Sequence, residues 1–394
     1  MHWKKISALV CLVVCSLLVP AKADPVADSV AIIRKTGPEG AGSTAAAAAW
    51  ETLSKLDASA IVPLLESMDG SGPVAKNWIR SALEVIFTKT ARESPDSLPM
   101  GDVESFLLNT RHPSPARKLA FDLIASVDAE KASGLKPRFL NDPSPELRLD
   151  AVQLMISKGQ SLLDEGKTNE ATEALQTALD SARDVDQIKK IAKMLREKAN
   201  KTLDLPKHFG FLMHWHVVGP FDNTDRKGFD AIYEPENGVD LNAVYEGKTK
   251  EVAWKNYFTT DEYGMVDFNQ PYNPLKGVVG YAYTEFESDQ DRYAQLRLGC
   301  KNAWKIWLNG DFVFGRDEYH RGMRIDQYQL PVQLKKGKNT ILVKACQDEQ
   351  EHDWTKEWQF QIRVCDETGT AILSTTRKPT PQKEQVERRR PAKP

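Results

Sequence analysis

The chain has 394 residues, 41% of them hydrophobic and 27% charged, with a net charge of −2. That length accommodates two or three domains, and that apolar content supplies a real core rather than a disordered polyelectrolyte. A charge so near zero excludes an overall electrostatic pull toward nucleic acid or an anionic membrane.

The first element is a secretory signal. Lys4 and Lys5 form a basic start, Ile6 to Val19 an apolar run too short to span a bilayer, and Ala21-Lys22-Ala23 a small-residue cleavage site. The expected cut lies between Ala23 and Asp24, which predicts a periplasmic or secreted protein. Cys11 and Cys15 follow Val10 and Val14, where a lipobox wants a small residue, so lipidation is not expected. No later stretch is long and apolar enough to cross a membrane, so no transmembrane anchor follows cleavage. The cut leaves Cys300, Cys346 and Cys365, an odd number with at least one thiol outside any internal disulfide. Cys300 follows Leu296 and Leu298 at period two and reads as a buried small hydrophobe. Cys346 and Cys365 fall on the outward parity of their strands, where a pairing between them stays open.

Residues 25–205 read as helical. After a short helix and a glycine-rich lead-in, Ala45–Leu56, Ala58–Met68 and Val74–Thr88 carry apolar residues at helical spacing between Gly, Pro and Asp punctuation. His112-Pro-Ser-Pro115 and Asp142-Pro-Ser-Pro145 then recur 30 residues apart. Behind the first run Ala116, Leu119, Ala120, Leu123, Ile124 and Val127. Behind the second run Leu147, Ala151, Leu154 and Met155. Lys76, Lys118 and Arg148 hold equivalent places, and Arg148 is expected to bond Asp142. This register resembles HEAT-type repeats, which implies an α-solenoid and, through it, protein partners. Glu165 to Ala199 resembles a tetratricopeptide-like hairpin capping the stack.

From Leu205-Pro206 the composition shifts to aromatic and β-branched residues. Short alternating runs predict strands near 211–218, 250–258, 264–268, 278–287, 292–299, 303–308, 311–314, 326–334, 340–346 and 357–365. Trp304, Ile306 and Leu308 face one way and Trp307 the other. Trp358, Phe360, Ile362 and Val364 face in, and Phe211, Met213, Trp215 and Val217 share a face. That period belongs to antiparallel sheets buried on one side, which predicts a C-terminal β-sandwich over 206–373. Between the first two strands lies a long loop, Gly228 to Glu236, suited to covering one end.

Trp307-Leu-Asn-Gly310, Leu334-Lys-Lys-Gly-Lys-Asn-Thr-Ile-Leu-Val343 and the opening Trp215-His-Val-Val-Gly-Pro-Phe221 resemble the galactose-binding-like jelly roll. The version is one seen in exported proteins of Planctomycetes-like bacteria, beside helical repeats. The resemblance covers about Trp215 to Asp366 and implies sugar binding, protein contacts or a purely structural role. Residues 374–394, rich in Pro, Lys and Arg, read as a disordered basic tail.

Catalytic motifs are missing: no Gly-x-Ser-x-Gly, no His-Glu-x-x-His, no Walker loop and no Rossmann fingerprint occur. A Ser-x-x-Lys at Ser133–Lys136 lacks partner motifs. His214-x-His216 has metal-like spacing, with His208 and His352 as third ligands only by assumption, so a polar strand face is expected there and no metal. Asp348, Glu349, Glu351 and Asp353 form an acidic loop without the spacing of an EF-hand; structural calcium is the one cofactor it suggests, against a solvated loop. Sugar sites want a flat aromatic and nearby polar groups. The residues that fit are Trp307, Tyr319, His320 and Trp354, with Asp317, Arg324 and Asp326; the same aromatics also fit packing under loops. The expectation is an exported, non-catalytic binding or scaffold protein, its sandwich placed to bind a polysaccharide and its helices protein partners. The alternative is an accessory or catalytic component of a polysaccharide-degrading hydrolase system.

Overall fold

A computed structural model describes residues 24–382. The expected signal segment and the last twelve residues of the basic tail lie outside the described residues. The chain divides into two compact units, one ending at Lys136 and the other beginning at Pro137. Helices fill the N-terminal half, and antiparallel sheets fill the C-terminal half.

The first unit contains α1 (Pro25–Ile33), α2 (Ser43–Ser54), α3 (Ile61–Ser67), α4 (Pro73–Glu93), α5 (Met100–Leu108), α6 (Ser114–Val127) and α7 (Ala129–Leu135). Proline stands in the first turn of α1, α4 and α6, where its missing N–H has no intrahelical partner to lose. The apolar stripe of α6 is buried as its spacing requires, except Val127, which is exposed. Arg117 is buried and donates through Nε to the Leu107 carbonyl (2.7 Å). Lys118 pairs instead with Asp122 one turn on.

The second unit opens with α8 (Pro145–Asp164), α9 (Thr168–Ser181), α10 (Val185–Ala199) and α11 (Leu205–Phe209). Ser144 caps α8 by accepting from Leu147 N, with Pro145 inside the helix start. Arg148 bonds the backbone carbonyl of Asp142 (2.7 Å). The stripe behind this second Pro-Ser-Pro runs through Leu147, Ala151, Val152 and Ile156, while Leu154 is exposed. The boundary expected at 205/206 falls inside this unit. Its physical reason is one apolar cluster, in which Ile156, Leu175, Ile188 and Leu195 of the helices pack with Phe209, Phe211 and Met213. Phe211 and Met213 therefore belong to that cluster, not to the face shared by Trp215 and Val217.

Two short helices, α12 (Glu234–Asn237) and α13 (Asn269–Tyr272), interrupt the strands. The strands are β1 (His214–Asp222), β2 (Val244–Glu246), β3 (Glu251–Ala253), β4 (Lys255–Phe258), β5 (Val266–Asp267), β6 (Val278–Ser288), β7 (Arg292–Cys300), β8 (Ala303–Leu308), β9 (Asp311–Arg316), β10 (Tyr328–Leu334), β11 (Gly337–Gln347) and β12 (Gln359–Cys365). Six form a sheet in the order β4-β1-β6-β11-β8-β9. Four form a second in the order β10-β7-β12-β5, and β2 pairs with β3. Both large sheets contribute to one core: Trp215, Trp304, Ile306, Leu308, Ile341 and Val343 from the first, Leu296, Leu298, Phe360, Ile362 and Val364 from the second. The β8–β9 turn has Asn309 at φ 55° and Gly310 at φ 85°, the left-handed pair that a two-residue type I′ hairpin requires. Asn339 is fully buried. It donates to the carbonyls of Lys335 (2.7 Å) and Gly337 (3.0 Å) and accepts from Lys335 N and Asn309 Nδ2 (3.0 Å each).

The other face of the six-stranded sheet is covered over much of its area. Residues of the 221–254 stretch cover it, forming a second cluster with Tyr281, Tyr283, Trp307, Leu342 and Cys346. Lys344, fully buried, pins this cover by donating to the carbonyls of Phe229 (3.1 Å) and Ala231 (2.7 Å) and to Glu236 Oε1 (2.8 Å). Cys300, Cys346 and Cys365 are all buried and all free. The last two do face away from the shared core, but the outward faces are covered. The tail expected to be free from Ser374 is held over its first residues. Thr375 N donates to Glu287 O, Arg377 to Phe211 O (2.8 Å), and Thr380 to Asp204 Oδ1 (2.8 Å).

Candidate functional site

The loops after β9 and β11 meet the segment that follows β1. Asn223, fully buried, anchors that segment by donating to the Gln347 carbonyl (2.9 Å) and to Tyr319 Oη (3.2 Å). The next residues are strained. Asp225 (φ 55°) and Arg226 (φ 62°) are both left-handed, as is His320 (φ 54°), a conformation that costs L-residues roughly 1–2 kcal/mol each. Specific contacts hold it. Glu349 Oε1 accepts from Asp225 N (2.7 Å), and Asp348 accepts from Arg226 Nη2 (2.8 Å) and pairs with His320 Nε2 (2.7 Å).

Asp348 is the hub, its side chain only 1% exposed. Burial acts to raise its pKa, but the bonds from His320, the Gln350 amide and Arg226 outweigh this and lower it, so the carboxylate is charged at neutral pH. Arg226 also lies over the Tyr319 ring, 4.7 Å from its centroid. The His320 ring meets Trp354 edge to face at 5.4 Å, and His352 stacks on Trp354 at 5.6 Å with 6° between planes. Trp354 itself is 61% exposed. The arrangement is an open indole platform backed by two imidazoles and a carboxylate–guanidinium pair. It can bind through an apolar ring face and fixed polar groups.

Tyr319, His320 and Trp354 are thus brought together, and the other expected residues are not part of the cluster. Trp307 is only 7% exposed, packed against Phe312 in the covered cluster, and offers no platform. Its parity is as expected; the chain over it is what period two cannot show. Asp326 is turned to Arg297 (2.9 Å) and Arg363 (2.7 Å from Nε), in a buried ion triad. Asp317 and Arg324 are exposed.

The acidic loop is dispersed as well. Asp348 and Glu349 are engaged as described, Asp353 pairs with Lys356, and Glu351 is exposed. Among the described residues, no group of three or more His, Cys, Asp or Glu side chains is placed to hold a metal ion. Arg226 and Asn223 escaped the sequence reading because the stretch after β1 has no period. Asp348 was visible only as one acid among four.

His214 and His216 line a different feature, a cleft of about 630 Å³ at the β4–β1 edge, closed on one side by Ser374, Arg377 and Lys378. His214 Nε2 lies 3.3 Å from Pro379 O. Burial, the leading cause, and the nearby Lys378 charge lower both imidazole pKa values. Glu285 is the one carboxylate among the lining residues, and it pairs with Lys338.

No family model matches the sequence, and no curated protein matches it. The chain is similar to several solved structures. A β-glucosidase from Kluyveromyces marxianus in complex with glucose is 11% identical, with 40% of this chain and 16% of that chain covered and a TM-score of 0.25. A family 35 carbohydrate-binding module from Clostridium thermocellum is 14% identical, with 22% and 71% covered and a TM-score of 0.17. A GH31 α-xylosidase from Xanthomonas citri is 10% identical, with 40% and 16% covered and a TM-score of 0.19. The chain spans about a sixth of the two enzymes it matches. At such TM-scores these likenesses carry no argument about fold or activity.

Proposed function

We propose that this is an exported, non-catalytic carbohydrate-binding protein whose sheets form a galactose-binding-like jelly roll and whose helices are HEAT-like with a tetratricopeptide-like cap. The observation that carries the binding role is the Trp354 platform beside the Asp348–His320–Arg226 network. Strained backbone held by specific contacts is found where a site must be pre-shaped. A large exposed indole near the half-exposed Arg226 guanidinium, which Asp348 holds in place, suits a sugar, which offers a C–H face and hydroxyls together. Binding is favoured over hydrolysis because glycoside cleavage needs two carboxylates at set spacing, while Asp348 is committed to two cations and Glu285 stands alone in its cleft. Protein partners for the helices, and export itself, belong to the same proposal and rest on the repeat and signal patterns.

The test is a glycan array followed by calorimetry on a chain begun at Asp24. Trp354→Ala and Arg226→Ala are each expected to weaken the bound glycan about tenfold, roughly 1.4 kcal/mol, without shifting the thermal midpoint for Trp354→Ala. An array with no bound glycan, or undiminished affinity in Trp354→Ala, overturns the reading.

A further inference from the structure

Within the second unit, a cavity of about 340 Å³ separates α8 and the start of α10 from the outward face of the four-stranded sheet. Its lining carries three guanidinium groups, those of Arg148, Arg183 and Arg297. Arg297 is satisfied by Asp326, Gln295 and the Glu367 carbonyl. Arg183 donates to Thr370 Oγ1 (2.8 Å) and to the carbonyls of Asp180 and Ala182. Arg148 is 7% exposed; its Nε is bonded to Asp142 O, but its Nη1 is buried without a hydrogen-bond partner. A buried donor left unpaired costs on the order of 1–3 kcal/mol, more when charged.

The carboxylates nearby already have partners of their own. Arg148, Arg183, Arg297 and Arg363 cluster here; the carboxylates acting on them are Asp326, taken by Arg297 and Arg363, Asp366, which accepts from Thr368 and Thr370, Asp142, which accepts from Ser144 N, and Asp180, which accepts from Gln176. Glu146, Asp184 and Glu367 line the cavity but are exposed at its rim. Burial first, and then the charge of Arg148, push Arg183 below the usual guanidinium range. None of Asp142, Asp180, Asp326 and Asp366 is among the residues that line the cavity.

We propose that this cavity binds an oxyanion group, a carboxylate, sulfate or phosphate, held by Arg148 and Arg183. Guanidinium groups suit such groups because their planar N–H pairs match two oxygens at once. The volume would hold about ten waters at ~30 Å³ each, more than a bare inorganic ion fills. An acidic group carried on a small organic molecule, such as a sugar acid, therefore fits better than the ion alone. The site is independent of the Trp354 platform.

The test uses the chain begun at Asp24 at fixed ionic strength. Sodium sulfate, phosphate, acetate and glucuronate are each titrated against sodium chloride, with thermal midpoint and calorimetry as readouts. The expected result is a saturable stabilisation by at least one oxyanion beyond matched chloride. Affinity should fall at least tenfold in Arg148→Gln and in Arg183→Gln and stay unchanged in Trp354→Ala. Glucuronate binding more tightly than acetate and sulfate identifies the sugar acid; sulfate or phosphate binding more tightly than glucuronate and acetate identifies the inorganic ion. If Arg148→Gln does not fold, Arg183→Gln decides. Stabilisation no greater than that of chloride, or wild-type affinity in the arginine variants, overturns the proposal.

Discussion

Asp326→Ala tests whether the aspartate chosen from sequence as a ligand group is instead a structural counter-ion. Its carboxylate is shared by Arg297 and Arg363, whose side chains are 9% and 2% exposed. Removing it leaves two buried guanidiniums without their acid, a change that costs about 3–5 kcal/mol in such pairs. For a unit of this size each kcal/mol moves the midpoint by about 2–4 °C, so a fall of roughly 6–20 °C is expected by calorimetry. The pH dependence has a definite sign. Burial acts to raise the Asp326 pKa, but the bonds and charges of Arg363 and Arg297 prevail and lower it. Its contribution is therefore fully present above the unfolded carboxyl value of about 3.9 and is lost as pH falls through the lower folded value. Wild-type protein should lose this stability on acidification, and the variant should not. A midpoint shift under about 2 °C at pH 7, which corresponds to less than ~1 kcal/mol, would refute the counter-ion role. Loss of glycan binding at unchanged stability would restore Asp326 to the ligand set.

Asn339→Ala removes the buried amide that ties the β10–β11 turn to the β8–β9 turn, and should cost about 2–3 kcal/mol in urea denaturation by leaving backbone groups unpaired; a change below ~0.5 kcal/mol contradicts that count. At Gly280 an added Cβ would lie 2.8 Å from both the Phe268 and Trp358 rings, so Gly280→Ala should destabilise by about 1–3 kcal/mol through overpacking, measured the same way. Burial pushes Cys300 and Cys346 up to about 12 and raises Cys365. All three thiols should therefore resist an aromatic disulfide reagent in the native chain begun at Asp24 and react fully in denaturant; a titre of one thiol in denaturant would reveal a Cys346–Cys365 bond.

Period-two alternation was enough to place β6, β7, β8 and β12 and to send Trp304 inward and Trp307 outward. It could not say whether an outward face meets water. That depended on the 221–254 stretch, whose hold on the sheet comes from Lys344 reaching carbonyls more than a hundred residues away in sequence. Trp307 and Cys346 lie under that stretch, so their outward parity leaves them buried; Cys365, on the other sheet, is buried outside that cluster. Tyr319, His320 and Trp354 were legible because loop aromatics with no strand to serve stand out. Their organiser, Asp348, was not, since its partners Arg226 and His320 come from two aperiodic loops. Helix α5 gives no clear run because Pro99 and Gly101 stand at its start, and amphipathic spacing in α8–α10 does not name Phe209, Phe211 and Met213 as the surface those helices meet.

The sheet order also decides where another chain could add a strand. An edge strand exposes unpaired amides, and long flat edges template aggregation. β5 has two residues, β2 and β3 three each and β4 four, too short to seed a new ladder, and β10 carries Pro331, which has no amide hydrogen to offer. That leaves β9, with Phe312 and Phe314 both exposed, kinked by an irregular register against β8 between Ile306 and Trp307. Fibre formation in this protein, if provoked by heat or acid, should therefore begin at β9, and a charged residue at Phe312 is the change that should suppress it.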